Sequence, residues 1–151
     1  KRNKRKGDKI MPEKKKYGKF IIDEQLPSLN EYINKCRENP YSANHFKRKT
    51  ETSISLYIVK AVRLGELEPF GNTPCIISYT WYEAKANRDV DNIQSAQKFI
   101  SDSLVKNRII TNDSQKYVRQ TFHKVVRSDR GKTYVTVELS EYNPIDDIAV
   151  I

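Results

Sequence analysis

The segment from residue 75 to residue 106 constrains the fold most, because it joins a strand pattern to a long amphipathic helix pattern. Cys75–Glu83 is dense in β-branched and aromatic residues, which predicts a buried strand. In a helix running roughly from Asp91 to Lys106, four apolar side chains fall on one face: Ile93, Ala96, Ile100 and Leu104. Each element must cover its apolar side, so we expect the helix to pack on a sheet that contains the strand.

The remaining patterns predict three more strands and two more helices. Ser28-Leu29-Asn30-Glu31 is a capping-box sequence that starts the first helix. The other predicted segments are a strand at Lys16–Ile22, helices ending at Glu38 and spanning Ser42–Leu64, and strands at Tyr117–Arg127 and Thr133–Leu139. We expect residues 128–132 to join the last two strands as a hairpin. The order indicates one α+β domain over residues 17–140, with helices packed on a mixed sheet, followed by a polar tail at 141–151.

The positive charge is concentrated at the start of the chain. The chain carries +9 overall, and residues 1–19 hold ten of its 28 basic residues against two of its 19 acidic ones. Residues 1–16 therefore form a basic arm with a disordered composition, able to bind phosphates without reading sequence. A solubilising or added tail, with the native chain starting at Met11, explains the same composition, so the arm alone does not define a function.

Composition excludes several classes of protein. No apolar run approaches 18 residues and no apolar segment follows the N-terminal charges, so we expect neither a membrane span nor a secretory signal. The two cysteines and two histidines, Cys36, Cys75, His45 and His123, do not have zinc-site spacing. We therefore expect reduced cysteines and a cytoplasmic location.

Three aspartates form the most informative chemical pattern. Asp89 and Asp91 stand two apart where an extended stretch turns into a helix, so both carboxylates can face one pocket. Asp113 can add a third carboxylate from a separate element. Such an all-oxygen site suits Mg²⁺, with Mn²⁺ as a possible substitute, and a metal ion next to a basic arm suggests chemistry on nucleic acid. On the predicted helix, Lys98 shares a polar stripe with Asp91 and can stabilise a phosphate or leaving oxygen.

Each of these residues also has a purely structural explanation. Asp91 can serve as a helix N-cap, and Lys98 can form a surface ion pair with Asp102 one turn along. Asp113 stands between Asn112 and Ser114, which is favourable turn chemistry in itself. Residue chemistry alone leaves both interpretations open.

A set of motifs in consistent order resembles the RusA family of Holliday junction resolvases over roughly residues 17–140. The motifs are Leu26-Pro27-Ser28-Leu29-Asn30, Asp89-Val90-Asp91-Asn92, Lys98, Asp102-Ser103-Leu104 and Asn112-Asp113-Ser114. The resemblance implies a Mg²⁺-dependent, homodimeric endodeoxyribonuclease that cuts branched DNA, encoded by a bacterium or a prophage. By position it implies that Asp89, Asp91 and Asp113 are the catalytic metal-binding acids, that Asn92 supports them, and that Lys98 is the family's helix lysine.

The chain departs from the family pattern in two places. Many members carry two successive acids where this chain has Asn112-Asp113, so Asp113 alone can supply the carboxylate. Lys98 also follows Asp91 at a longer spacing than in the best-known member, although its spacing to Asp102 is kept.

Basic side chains in the body of the chain are candidate phosphate contacts or simply a solvated face. They are Lys47, Arg48, Lys49, Arg88, Lys124, Arg127, Arg130 and Lys132. The alternatives to a nuclease are a non-catalytic DNA-binding module that uses the arm, and a metal-dependent nucleotide hydrolase. The hydrolase is disfavoured because none of the five glycines lies in a phosphate-cradling loop pattern.

Overall fold

The computed structural model describes residues 15–147. This part of the chain contains four strands, four helices and a final 3₁₀ turn. In chain order the elements are β1 (Tyr17–Ile22), α1 (Leu29–Glu38), α2 (Pro40–Arg63), β2 (Cys75–Glu83), α3 (Val90–Gln94), α4 (Gln97–Lys106), β3 (Val118–Arg127), β4 (Tyr134–Glu141) and the turn (Pro144–Asp147). The predicted strands and the first two helices are confirmed to within two residues at each end. Of the predicted basic arm, residues 1–14 lie outside the described residues, as do residues 148–151 of the predicted tail.

The sheet is mixed, with the strand order β1-β4-β2-β3. Strand β2 pairs with β3 in parallel and with β4 antiparallel, and β4 pairs antiparallel with β1. A parallel pair needs a long crossover, and the segment carrying α3 and α4 supplies it. The α+β class and the mixed sheet predicted from the sequence are confirmed.

The predicted hairpin between β3 and β4 is wrong, because β2 lies between these strands. The connecting loop instead passes the end of β2, where the Ser128 N–H donates to the Glu83 carbonyl oxygen and the Ala84 N–H donates to Thr133 Oγ1. Burial explains the outcome. Strand β4 is mostly buried and takes a central place, whereas β3 is largely exposed and fits an edge.

The predicted helix over residues 91–106 is also wrong as a single helix, since it is divided between Gln94 and Gln97. At the division the Ala96 N–H donates to the Ile93 carbonyl, three residues back, and Ser95 Oγ donates to the Asn92 carbonyl at 2.7 Å. Such tight turns and side-chain bonds to the backbone compete with regular helix. The predicted apolar face survives the break, because its four members remain buried: Ile93, Ala96, Ile100 and Leu104.

The core lies between one face of the sheet and the helices. Alternate residues of the strands point into it, and β2 contributes Tyr79 and Trp81, each 2 % exposed. Helix α2 covers the same face with Ile54 and Ile58, and α4 adds Ile100, all fully buried. This packing fixes α4, and with it the candidate site, against the sheet. Among the described residues, no helix combines the length and apolar character of a membrane-spanning segment.

The capping box of α1 is confirmed and gives a test of local helix stability. Ser28 Oγ accepts from the Glu31 N–H at 3.2 Å, and Glu31 Oε1 accepts from the Ser28 N–H at 3.2 Å. We expect Ser28→Ala to lower the free energy of unfolding by about 1 kcal/mol in urea denaturation, because it removes the oxygen that accepts from the Glu31 N–H. Ser42→Ala is the control, since only its backbone N–H is bound by the Asn39 cap, and it should change stability by less than about 0.5 kcal/mol. Equal effects of the two changes would contradict this assignment.

Candidate functional site

The segment that leads to the first two aspartates is fixed by a buried ion pair. Arg88 Nε donates to Glu83 Oε1 at 3.0 Å, and its Nη2 donates to Glu83 Oε2 at 2.7 Å. Arg88 Nη1 also donates to the Leu26 carbonyl at 3.3 Å. The two side chains are 17 % and 8 % exposed, so the pair is well shielded from water. It ties the residue before Asp89 to the end of β2 and to the chain entering α1.

Neither Asp89 nor Asp91 acts as a side-chain helix cap. Asp89 occupies the N-cap position of α3 but makes no side-chain cap hydrogen bond, and Asp91 lies inside the first turn. Asp91 Oδ1 accepts from the N–H of its neighbour Asn92 at 3.1 Å. Both aspartates are exposed. The capping explanation for this pair is therefore not realised, and their carboxylates are accessible from solvent.

Lys98 links Asp113 to helix α4. Its Nζ lies 3.0 Å from Asp102 Oδ1, one helical turn along, and 3.0 Å from Asp113 Oδ2, which comes from the loop after the helix. The hydrogen bond to Asp102, followed by that to Asp113, raises the pKa of Lys98, so its ammonium stays charged at neutral pH. The surface ion pair between Lys98 and Asp102, which is the purely structural explanation for Lys98, is present. The contact with Asp113 goes beyond it and brings two of the predicted site residues together.

The turn that carries Asp113 is made by its neighbour. Asn112 Oδ1 accepts from the Ser114 N–H at 2.9 Å, so the side chain of Asn112 performs the turn chemistry. The Asp113 carboxylate, 34 % exposed, is thereby left to face Lys98. Its charge also contributes, after burial and Cys75, to raising the pKa of Tyr79 in the core of the sheet. Asp113 thus lies beside α4, in contact with Lys98.

The donor chemistry of these acids fits a hard divalent cation, although the three carboxylates are not gathered into one cluster. Asp89, Asp91 and Asp113 offer only oxygen atoms, and all three residues are exposed. Within residues 15–147, no group of three or more His, Cys, Asp or Glu side chains lies close enough to hold a metal ion. The structure pairs Asp113 with the Lys98 ammonium instead, which already satisfies this carboxylate with a positive charge.

Four of the eight predicted DNA-contacting residues contact other side chains of the protein. Lys47 contacts Asp102 and Glu51, Arg88 is held by Glu83, and Lys132 pairs with Asp23. Arg130 lies over the ring of Tyr134, with its guanidinium carbon 4.6 Å from the ring centroid. Exposed side chains remain at Arg48 and Lys49 on α2 and at Lys124 and Arg127 on the edge strand β3.

Sequence reasoning missed His123, which braces the start of α4. Trp81 Nε1 donates to His123 Nδ1 at 3.0 Å, so the proton lies on Nε2, which donates to Gln97 Oε1 at 3.0 Å. The imidazole also stacks on Tyr79 with 4.8 Å between ring centroids. Gln97 precedes Lys98, so this contact steadies the lysine's helix. The only signal was strand alternation, which places His123 beside Tyr79 once β3 is known to neighbour β2.

Comparison with known proteins assigns no family. No family model matches the chain, and no curated protein matches it. The resemblance to RusA resolvases therefore rests on the motifs quoted above, and its functional content is a proposal.

The buried pair between Arg88 and Glu83 should be needed for stability. We expect Arg88→Met to lower the free energy of unfolding by about 3 kcal/mol, because it leaves the Glu83 carboxylate buried without its counterion. Urea denaturation measures the loss. Lys132→Met breaks the exposed pair with Asp23 and serves as the control, with an expected change below about 1 kcal/mol. An Arg88→Met protein as stable as the control would show that the pair does not anchor this loop.

His123 should make stability depend on pH. Burial lowers its pKa from 6.5, so the native state favours the neutral ring while the unfolded chain binds a proton more readily. This contribution is complete above the unfolded pKa and is lost as pH falls through the folded pKa. Between about pH 7.5 and pH 5, we expect His123→Gln to lose less stability than the wild type. His45→Gln, at an exposed position, should keep the wild-type slope, and a His123→Gln slope equal to it would refute this expectation.

Proposed function

We propose that this chain is a RusA-like, Mg²⁺-dependent endonuclease that acts on Holliday junctions or related branched DNA. The observation that carries the proposal is the accessibility of the three aspartates. No helix-capping bond uses the carboxylates of Asp89 and Asp91, and the Asp113 carboxylate contacts Lys98 on α4. Their order and spacing match the family's motif. The acids are therefore accessible from solvent, and the motif supports their assignment to one site.

Asp89, Asp91 and Asp113 are the proposed metal ligands. A Mg²⁺ ion held by these residues would supply positive charge to a scissile phosphate and would lower the pKa of a bound water. Three negative charges repel one another, which disfavours a close cluster in the absence of a cation. The Lys98 ammonium offsets the charge of Asp113. Asn92, half-buried beside Asp91, donates its N–H to that carboxylate and supports its orientation.

Lys98 is the proposed cationic group of the reaction. Its ammonium is 66 % exposed and fully charged, and it lies beside Asp113. A phosphate drawn to the acids through the metal ion therefore comes within reach of a positive side chain. Lys98 can then stabilise negative charge on the phosphate or on the leaving oxygen. Asp102 holds the ammonium from the helix side at 3.0 Å.

The exposed basic residues give a route for DNA to the site. Arg48 and Lys49 on α2 and Lys124 and Arg127 on β3 are the proposed phosphate contacts. Contacts of this kind position DNA and carry no sequence information directly, which suits recognition by junction shape. Resolution of a four-way junction needs two symmetric nicks, so we propose a homodimer that presents two copies of the site.

Replacement of Asp91 tests the proposed reaction. We expect Asp91→Asn to reduce Mg²⁺-dependent cleavage of a synthetic four-way junction by about a thousandfold or more, because a metal-binding carboxylate becomes a neutral amide. Junction affinity measured without metal should be kept or improved, since one negative charge near the phosphates is removed. Labelled junction and matched duplex, with and without Mg²⁺, give both quantities by gel analysis.

The matched control is Glu38→Gln, which removes an acid from an exposed pair with Lys35 at the end of α1. It should cleave at the wild-type rate. A wild-type protein that binds the junction but does not cut it at any Mg²⁺ or Mn²⁺ concentration would instead favour a non-catalytic DNA-binding module. Asp91→Asn cleavage at the wild-type rate would remove this residue from the site.

A further inference from the structure

Lys47 belongs to a chain of alternating charges rather than to the basic surface around it. The chain starts at Glu51, a buried residue on α2 whose side chain is 8 % exposed. Lys106 Nζ lies 3.6 Å from Glu51 Oε1, and Lys47 Nζ lies 3.9 Å from Glu51 Oε2. Within the described residues, Glu51 Oε2 has no hydrogen-bond partner. A positive charge stabilises a buried carboxylate oxygen that lacks a hydrogen bond, and the Lys47 ammonium lies 3.9 Å from this one.

The other side of Lys47 faces the candidate site. Its Nζ lies 3.4 Å from Asp102 Oδ2, while the second oxygen of the same carboxylate, Oδ1, lies 3.0 Å from Lys98 Nζ. One carboxylate is thus shared between a lysine on α2 and a lysine on α4. Helix α2 is long and contributes to the core, so Lys47 reaches Asp102 from a well-packed helix.

The position of the Lys98 ammonium depends on its ion-pair partners. It has a flexible four-carbon stem and is 66 % exposed, so few packing contacts restrict it. Its two holds are the carboxylates of Asp102 and Asp113. If Asp113 turns to a metal ion, Asp102 becomes the remaining hold, and the orientation of Asp102 then decides where the ammonium points.

We propose that Lys47 is a positioning residue for Lys98, acting through Asp102 and anchored by the buried Glu51. Its activity consequences rest on the proposed nuclease function, whereas the positioning itself does not. The competing assignment is a phosphate contact, as expected for a lysine beside Arg48 and Lys49. A phosphate contact changes DNA affinity, while a positioning residue changes turnover and the order of the Lys98 side chain.

The first experiment measures order directly, without DNA or metal. NMR relaxation of the lysine side chains gives an order parameter for the end of Lys98 in the wild type, Lys47→Met and Lys60→Met proteins. Lys60 lies more than three turns further along the same helix, so its replacement is matched in chemistry and remote in place. We expect the Lys98 order parameter to fall in Lys47→Met, with Asp113 as the contact that limits the fall, and to stay at the wild-type value in Lys60→Met. An unchanged value in Lys47→Met overturns the proposal.

The second experiment separates turnover from binding. In single-turnover cleavage of the four-way junction, we expect Lys47→Met to lose about tenfold to a hundredfold in rate, since a misplaced group costs this much. Junction affinity without metal should stay at the wild-type value, because a positioning residue does not contact the DNA. Lys47→Arg keeps the charge and reach and should recover most of the rate. A loss in affinity with an unchanged rate overturns the proposal in favour of a phosphate contact.

A double replacement shows whether Lys47 acts through Lys98. In a Lys98→Met background, Lys47→Met should cause no further loss of rate, because its target is already gone. Multiplying losses overturn the proposal. Should Lys47→Met fold poorly in thermal melting, Lys47→Gln replaces it, since it removes the same charge and keeps a polar side chain at that position. If the wild-type protein cuts no junction, the nuclease function fails, and the NMR comparison alone still decides the positioning.

Discussion

The burial of one face of β2 is the constraint on which the rest of this structure depends. The strand pairs on both sides, and its inward residues pack under α2 and α4 with almost no exposure. A strand with an apolar face of this size must be central and must be covered by helices. The crossover from β2 to β3 therefore passes over the sheet, and its two short helices bring the candidate acids to the edge of the core.

Charge then determines the details that packing leaves open. The Arg88 pair with Glu83 is almost enclosed and holds the chain before Asp89, whereas Lys98, Asp102 and Lys47 form a partly exposed line between α4 and α2. Buried pairs give fixed geometry because breaking them leaves a charge without water. Exposed pairs give positions that a ligand can replace at small cost. Under the proposed function, the anchored loop and the adjustable acids would together serve a metal ion and a phosphate.

The residues of the candidate site were proposed from the sequence, whereas their arrangement came from the structure. The motif order identified Asp89, Asp91, Lys98 and Asp113, and the structure brings Lys98 and Asp113 into contact. The sequence did not show that the helix divides at residues 95 and 96, because serine hydroxyl bonds to the backbone, as from Ser95 to Asn92, also occur within continuous helix, as at Ser103. The sequence also did not show that His123 contacts Trp81 and Gln97, since these contacts depend on which strand lies beside β3. Lys47 was assigned to a basic cluster because its partners, Glu51 and Asp102, become close only in the folded chain.

Taken alone, the sequence determined what short windows of chain control. It placed the strand and helix segments, the Ser28 cap, the apolar face of residues 93–104 and the exposed acids, because propensity, capping and periodicity act over one or two turns. Tertiary structure decided that β4 and not β3 occupies the centre of the sheet, that the crossover helix is divided, and that Lys98 is shared between two aspartates. These outcomes depend on competition between distant segments for burial and for counterions, and local pattern carries no record of that competition.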